Sequence, residues 1–427
     1  MEINWIAQAT NMKSSNISIE KYDVQKFLEL SKQYEQLSGS EKGKYRGVEN
    51  YIAQNGGPTL SSAQKNYKKI LEEIEKHNEA QDCFDILPVD IYSEKETIMD
   101  LLASLENENY IKEIYKTKKL CSNGGLNTNN AINLMDCIRQ GRSLLESSKS
   151  ANMISKPLID FYAASAYAYA TIVINSPLHK SLESLKGSHG HTYNHKNGTI
   201  EFGGNVPSGT FVDLMISNYL PQVVAEETRF RYNVLPSLFF IQENEIKISL
   251  IALLSTVPEL QDQSKRISCS KKLVYDLSIK SGVEKGKVTY TFQIGDGINK
   301  HDYSKLEKVF PNSTIKEENG KYVVNVPSGN VEKISPTIYH DIYGKLWYVE
   351  SLIDGMYLPE ICVHFLIISA LCNIMRYSPH EWNNIVSNKI SSDFSLLISK
   401  YLRLFDLKYP MLLVQQLTNF LPVIKSK

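Results

Sequence analysis

The longest nearly continuous apolar stretch of the chain lies between Leu358 and Trp382. From Glu360 to Met375 the residues are mostly apolar all round, which predicts a helix inside a core rather than on a surface. Pro359 suits the first turn of this helix, because its missing N–H has no partner to lose there. A helix of about 15 residues is shorter than the roughly 20 that span a bilayer, so we predict a core helix.

A second helix is predicted directly after the first. Residues 378–381 read Ser-Pro-His-Glu, which is a capping box with proline at the first helical position. We therefore expect one helix to end near Arg376 and another to begin at Pro379, with Trp382 packed at the joint. A further helix over 157–174 has five alanines, which leave one face thin, so we expect it to pack directly on the 359–376 helix.

The rest of the chain divides by its apolar periodicity. Stripes at three- and four-residue spacing indicate short helices throughout residues 1–150, and the last hundred residues are again helical. The predicted helices are 27–37, 67–74, 93–105, 111–115, 132–145, 157–174, 211–216, 249–255, 302–309, 347–353, 359–376, 379–387, 393–404 and 409–421.

Strand patterns appear only in the middle of the chain. Asn197-Gly198 and Asn319-Gly320 are hairpin turns between short alternating segments, and 272–279 and 288–294 alternate in the same way. The fold class predicted is α+β and predominantly α-helical, with a helical core and a small β-rich middle section. The predicted domains are an N-terminal helical region over 1–150 and a core over 151–427, with 265–335 as an inserted small α+β unit.

Composition places the chain among ordinary globular proteins. It has 427 residues, 42% of them hydrophobic, with 47 basic and 47 acidic side chains, so no global field directs it to nucleic acid or to a membrane surface. The six cysteines are scattered and form no C-x-x-C pair, which favours free thiols in a reducing compartment. The first residues lack the basic and apolar regions of a secretory signal, so we expect a cytoplasmic protein.

Four short segments follow one another in a fixed order: Lys156–Tyr162, Ser188–Gly190, Leu253–Leu260, and Met375–Trp382 with Tyr409-Pro410 downstream. Taken in this order they resemble the YaaC-like family of uncharacterised bacterial proteins. The resemblance covers about 155–425, and residues 1–145 show no clear match. It implies a cytosolic bacterial protein with a helical core around a β-containing middle. It implies no established activity, and it carries no catalytic residue over to this chain. The family's pattern has a His-Gly pair where His189 and Gly190 stand.

Three histidines, His189, His191 and His195, are the candidates for a metal site. Imidazoles two residues apart on a strand point the same way, so the first two could share a metal ion. No carboxylate or cysteine stands at a suitable spacing to complete the set, so we predict no metal, and a loop histidine bonded to backbone is the simpler interpretation. His189 is also a candidate general base or ligand contact in a cleft. Because Gly190 permits a sharp backbone turn, we expect His189 to point inward, towards the joint between Arg376 and Trp382, while His191 and His195 lie nearer solvent.

Arg376 and His380 are candidates for catalysis together with His189. They are similar to the arginine–histidine pair of HEPN-type ribonucleases, which lies on one helix with four to six residues between. Here three residues intervene and Pro379 starts a new helix between them, which favours separate structural roles. On the buried helix, Glu360 and His364 stand at i and i+4, so we expect an internal pair in which the carboxylate favours the imidazolium.

No familiar cofactor motif is present, so we predict no cofactor. Gly295-Asp296-Gly297 follows a strand but lacks the third glycine of a dinucleotide fingerprint, and there is no Walker A lysine, G-x-S-x-G or H-E-x-x-H. Tyrosine is frequent, at 25 residues, which favours interfaces. We therefore expect a protein-interaction or scaffold component of a multi-protein bacterial system, with mobile-element or phage defence as one setting.

The expected partners follow from the same observations. They are other proteins or further copies of the chain, with no membrane partner, and the balanced net charge gives no support to nucleic acid. The alternative function is a nucleic-acid-acting, nuclease-like enzyme that uses His189 with Arg376 or His380.

Overall fold

The computed structural model describes residues 85–89, 94–118, 125–175, 181–185, 187–204, 209–218, 221–225, 228–231, 234–267, 272–284, 287–295, 303–418 and 420–424. Contacts divide the chain into two units, Met1–Ala80 and Gln81–Lys427, and all the described residues lie in the second. The helices predicted at 27–37 and 67–74 lie outside the described residues.

Helices dominate the described part of the chain. They are α1 Glu94–Ser104, α2 Glu108–Lys118, α3 Thr128–Ser150, α4 Lys156–Asn175, α5 Thr210–Ser217, α6 Leu235–Glu243, α7 Leu250–Leu254, α8 Gln261–Ile267, α9 Tyr303–Val309, α10 Glu360–Tyr377, α11 Pro379–Val386 and α12 Ser392–Leu417. The strands are β1 Asp85–Val89, β2 Thr192–Asn194, β3 Thr199–Gly203, β4 Pro221–Ala225, β5 Thr228–Arg231, β6 Glu245–Ser249, β7 Val274–Glu284, β8 Lys287–Ile294, β9 Thr314–Glu318, β10 Lys321–Pro327, β11 Ile338–His340, β12 Leu346–Val349 and β13 Phe420–Ile424. The predicted α+β, predominantly helical class is confirmed.

The apolar helix α10 lies at the centre of the main core, as its pattern predicted. Leu366 has no exposed surface, and the residues before and after it on the helix are also buried. Helix α4 packs directly on α10, and the rings of Phe161 and Phe365 meet at 5.9 Å between centroids. The alanine-rich face of α4 thus permits the close approach expected from the sequence.

Helices α1, α2 and α3 contribute to this same core. Ile98, Ile111 and Leu134 are buried in one apolar cluster with α4, α10 and α12. Gly141 allows helices α3 and α4 to approach closely, because a Cβ at this position would lie 2.6 Å from the ring of Tyr167. A glycine is needed where α3 crosses α4, and helices α1, α2 and α3 are packed on the helices that follow them.

The β-rich middle section builds a second core. Its antiparallel sheet has the strand order β11-β12-β7-β8-β10-β9, and Asn319 and Gly320 both have positive φ in the predicted turn between β9 and β10. Phe292 is buried in this second core, whereas Val274 at the start of β7 belongs to the main core. Strands β11 and β12 come after residue 335, so the sheet extends beyond the 265–335 segment.

Two helix predictions near the C-terminal end are wrong. Residues 346–349 form strand β12, where Trp347 pairs with Tyr339 of β11 and with Asp276 of β7. Residues 392–417 form one helix and not two, with Pro410 inside it. Proline costs about 3 kcal/mol in a helix interior, but Tyr409 and its neighbours are buried, so packing outweighs that cost.

Two helices of the described part, 156–175 and 360–377, are long and apolar enough to cross a membrane by length and composition. Both are mostly buried against other elements of this fold. This is the burial expected of core helices, which pass the same test of length and hydropathy.

Candidate functional site

The sequence candidates meet where the N-terminal end of α4 approaches the C-terminal half of α10. Five exposed side chains lie next to one another here, and we call them the histidine surface. They come from α4, from α10 and from the loop and hairpin that follow α4: Tyr162, His189, His195, Arg376 and Tyr377. Buried Phe161 contacts both Tyr162 and His189, with ring centroids 6.1 and 5.0 Å apart.

Turn geometry holds the loop that carries His189. Gly190 has φ 77°, and the backbone carbonyls of Ser188 and His189 accept hydrogen bonds from Thr210 and Phe211 at the start of α5. Gly209 has φ 110°, and a Cβ there would lie 2.7 Å from the Gly190 nitrogen, so only glycine fits. The loop backbone is therefore fixed on α5 although the side chains of Ser188 and His189 are exposed.

His189 is exposed, and the expectation that its side chain points inward while His191 faces solvent is wrong. Partial burial lowers the pKa of His189, and the charge of Arg376 lowers it further. The imidazole is therefore neutral at physiological pH and lies within electrostatic reach of the guanidinium. The two candidates are neighbours, as proposed from the sequence, but at the surface.

His191 is the histidine that points inward. Its Nδ1 lies 3.1 Å from the His189 carbonyl oxygen and its Nε2 lies 2.6 Å from the Ser369 hydroxyl on α10. Its ring meets Phe211 and Phe365 edge-on, at 6.0 and 5.6 Å between centroids. Burial lowers the pKa of His191 to about 4, so this side chain is neutral.

His195 lies at the joint between α10 and α11. Its Nδ1 is 3.0 Å from the Ser378 hydroxyl, and its ring meets Tyr377 edge-on. Ser378 makes no side-chain cap to α11, so the predicted capping box is wrong. The hydroxyl that was expected to cap the helix contacts His195 instead, while Trp382 is buried at the joint as predicted.

Arg376 and His380 do not project together. The guanidinium of Arg376 lies over the Tyr377 ring at 4.9 Å and interacts with the Cys372 thiol. His380 is exposed on α11, with its Nε2 3.1 Å from the Asn384 amide nitrogen. No group of three or more His, Cys, Asp or Glu side chains that could hold a metal ion converges within the described ranges. The catalytic and metal candidates therefore stay predictions.

A second cluster of polar side chains is buried at the other end of α10. Lys408 of α12 is 2% exposed, and its ammonium lies 3.0 Å from Glu360 and 3.3 Å from Glu259. It also donates to the His340 carbonyl, while the His340 backbone N–H donates to Glu360. One charged lysine between two carboxylates thus joins α12, α10, strand β11 and the turn at Pro258–Leu260.

The predicted Glu360–His364 pair does not form. Glu360 pairs with Lys408, and His364 stacks on Tyr401, with its Nδ1 3.3 Å from the phenol oxygen. Burial and the charge of Lys408 lower the pKa of His364 to about 3, so it is neutral and not the expected imidazolium. The lysine from a distant helix outcompetes the neighbour on the same helix.

This cluster makes stability depend on pH. Burial raises the pKa of Glu360 to about 7, with Lys408 opposing and Glu259 assisting the shift. The pKa of this carboxyl is therefore higher in the folded protein than in the unfolded chain. Its contribution to stability is complete below about pH 4.5 and is lost as the pH rises through the folded-state pKa. We expect the wild type to lose up to about 3 kcal/mol relative to Glu360→Gln between pH 4.5 and 8.

The measurement is urea unfolding of both proteins over this pH range. The difference between them cancels the opposite effect of the buried histidines His340 and His364, whose lowered pKa values cost stability as pH falls below about 6.5. Parallel curves for the two proteins would show that Glu360 does not change its protonation on folding.

Sequence reasoning missed Ser369 and Lys408. Ser369 stands alone in an apolar run, and Lys408 precedes Tyr409-Pro410 in a segment read as the gap between two helices. The H-x-H spacing indicated His191 as a candidate. It could not indicate Ser369 as the partner of His191, because these residues are 178 positions apart in the chain.

Fold and site together define a helix-dominated α+β protein with one buried central helix that carries polar clusters at both ends. The sequence pattern of the YaaC-like Protein family matches residues 101–417, which is most of the chain, so the chain belongs to the YaaC-like family. The match begins before the 155–425 range of the resemblance and includes much of the helical segment that precedes α4. No curated protein and no solved structure matches the chain.

Proposed function

We propose that this YaaC-like chain is an interaction or scaffold component that binds another protein through the histidine surface. One observation carries the proposal: Tyr162 and Tyr377 are 49% and 62% exposed at the ends of two core helices, with Arg376 beside them. Tyrosine and arginine are the residue types that dominate binding hot spots. Because α4 and α10 are otherwise buried, these rings are presented on a rigid base.

The charge of Arg376 supports a partner with acidic groups. Within the described part of the chain this guanidinium makes no ion pair with a carboxylate, and its contact at 4.9 Å is with the Tyr377 ring. A bidentate bond to a partner's carboxylate would use the donors that remain open. We extend the proposal to a cytoplasmic bacterial setting, with mobile-element or phage defence as one multi-protein system that fits.

The test is co-purification of the tagged full chain from its native host, with quantification of bound proteins and light scattering for self-association. We expect a partner of the wild type to be reduced at least tenfold by Arg376→Glu and by Tyr377→Ser, since hot-spot losses reach 2 kcal/mol or more. Tyr343→Ser is the matched control, because Tyr343 is 53% exposed on the turn between β11 and β12. Equal recovery with all variants would contradict the proposal.

The alternative is a nucleic-acid-acting enzyme that uses His189 with Arg376 or His380. The observation in its favour is a neutral, exposed imidazole within electrostatic reach of an arginine, since a base and a phosphate-binding cation are the parts that such chemistry needs. The test is incubation with labelled single-stranded RNA and DNA. Cleavage by the wild type that His189→Ala and Arg376→Ala abolish would support this alternative, and intact oligonucleotides would reject it.

A further inference from the structure

A Ser–His pair lies directly beneath the histidine surface, and its hydrogen bonds define which atom holds the proton. A carbonyl oxygen only accepts, so the 3.1 Å contact of His191 Nδ1 with the His189 carbonyl requires the hydrogen on Nδ1. Because the imidazole is neutral, Nε2 is an acceptor. The 2.6 Å contact with Ser369 is therefore a bond that the serine hydroxyl donates.

We propose that Ser369 and His191 are a nucleophile and its general base, and that they hydrolyse an ester of a small anionic acid. A hydroxyl that donates to a neutral imidazole, with the imidazole oriented by a third group, is the arrangement that activates serine in acyl transfer. Here the orienting group is the His189 carbonyl, whose position is fixed because it also accepts from the Phe211 N–H.

Arg376 supplies the reason to expect an anionic substrate. It stands seven residues after Ser369 on α10, hence on the same face, and helical side chains lean back towards the N-terminus. Its interaction with Cys372, one turn after Ser369, agrees with this direction. The guanidinium is thereby brought towards the Ser369 hydroxyl, where it would hold a carboxylate or phosphate of the substrate.

The reaction balances with water as the only co-reactant. The Ser369 oxygen bonds to the ester carbonyl carbon while its proton passes to His191 Nε2, and the bond to the alcohol oxygen then breaks as Nε2 returns the proton to that oxygen. Water next attacks the acyl-serine and gives a proton to Nε2. The acid leaves as the Ser369 oxygen takes the proton back, so both side chains end as they began.

Access to the dyad requires one side chain to move. Ser369 is 1% exposed, whereas His191 is half-buried and His189 is exposed above it, with 6.3 Å between the two imidazole centroids. His189 packs edge-on against Phe161. Rotation of an exposed side chain takes picoseconds to nanoseconds. We therefore place the route to Ser369 past the His189 ring, with the loop backbone staying on α5.

The experiment labels the full-length protein with a small fluorophosphonate, which forms a stable bond to an activated serine, and follows the adduct by intact mass and peptide mapping. We expect an adduct on Ser369 in the wild type, faster labelling in His189→Ala, and none at this position in Ser369→Ala. His191→Gln keeps an acceptor for the serine but removes the base, so labelling should slow by about 100-fold or more.

Ser165→Ala is the matched control, because Ser165 is a buried helix serine that donates to the Phe161 carbonyl of its own helix. This variant should label like the wild type. Circular dichroism and thermal unfolding of each variant confirm that it is folded. The proposal is overturned if Ser369 stays unlabelled in both the wild type and His189→Ala, or if folded His191→Gln labels as fast as the wild type.

Discussion

Replacing Lys408 by methionine is expected to destabilise the fold by about 3–5 kcal/mol, measured as the free energy of unfolding in urea. Methionine has nearly the volume of lysine, so no large cavity forms. The cost arises because the ammonium is the ion-pair partner of buried Glu360 at 3.0 Å and of Glu259, whose side chain is 11% exposed, at 3.3 Å. Without it, a buried carboxyl and a partly buried one face each other without their shared cation.

Two further variants separate this mechanism from loss of packing. Lys400→Met on the same helix removes a lysine that donates to the Glu259 carbonyl and to Gln263 and that forms no ion pair with any residue the structure describes, so we expect a loss of about 1 kcal/mol. Adding Glu360→Gln to Lys408→Met removes one of the two charges and should restore part of the stability. A Lys408→Met loss no larger than that of Lys400→Met would contradict a buried ionic joint.

The central helix could be predicted from the sequence because a helix buried on all sides is apolar on all sides. This pattern can be recognised without knowing which elements pack against the helix. Residues 360–375 are apolar in every direction, and any core that accepts them must surround them. The close packing of α4 on α10 could be predicted in the same way, because the small alanine side chains on one face of α4 allow another helix to approach closely. The hairpin turns at 197–198 and 319–320 were predicted for a local reason, namely the positive φ at Gly198, Asn319 and Gly320.

The polar clusters could not be predicted, because each one depends on which side chain from a distant part of the sequence the fold places next to it. Glu360 has His364 one turn away, yet it pairs with Lys408, which is 48 positions further along the chain (408 minus 360). His189 was selected over His191 on the Gly190 turn, but β2 begins at Thr192 and the preceding residue is aimed at α10. Gly190 has φ 77°, so the backbone turns between the two histidines and they do not share one face as they would on a strand.

Helix α10 links the two polar clusters mechanically. Its first turn carries Glu360 of the buried ionic joint, and its second half carries Ser369 and Arg376 beneath and within the histidine surface. The spacing between Glu360 and Ser369 is about 13 Å along the axis at 1.5 Å per residue. A shift of the helix at one end therefore moves the other, so the packing of its middle residues determines how accurately Ser369 faces His191.

Leu366→Ala tests that packing and is expected to cost about 2–5 kcal/mol of unfolding free energy. Leu366 has no exposed surface and belongs to the main core, so truncation removes buried apolar contacts and leaves a cavity that the surrounding helices fill only in part. Urea unfolding followed by circular dichroism gives the value.

Leu396→Ala is the control, because Leu396 on α12 is 46% exposed and its truncation should change stability by no more than about 0.5 kcal/mol. A loss below about 1 kcal/mol at Leu366 would mean that α10 is not the centre of this core, since a fully buried leucine in a close-packed interior cannot be truncated so cheaply.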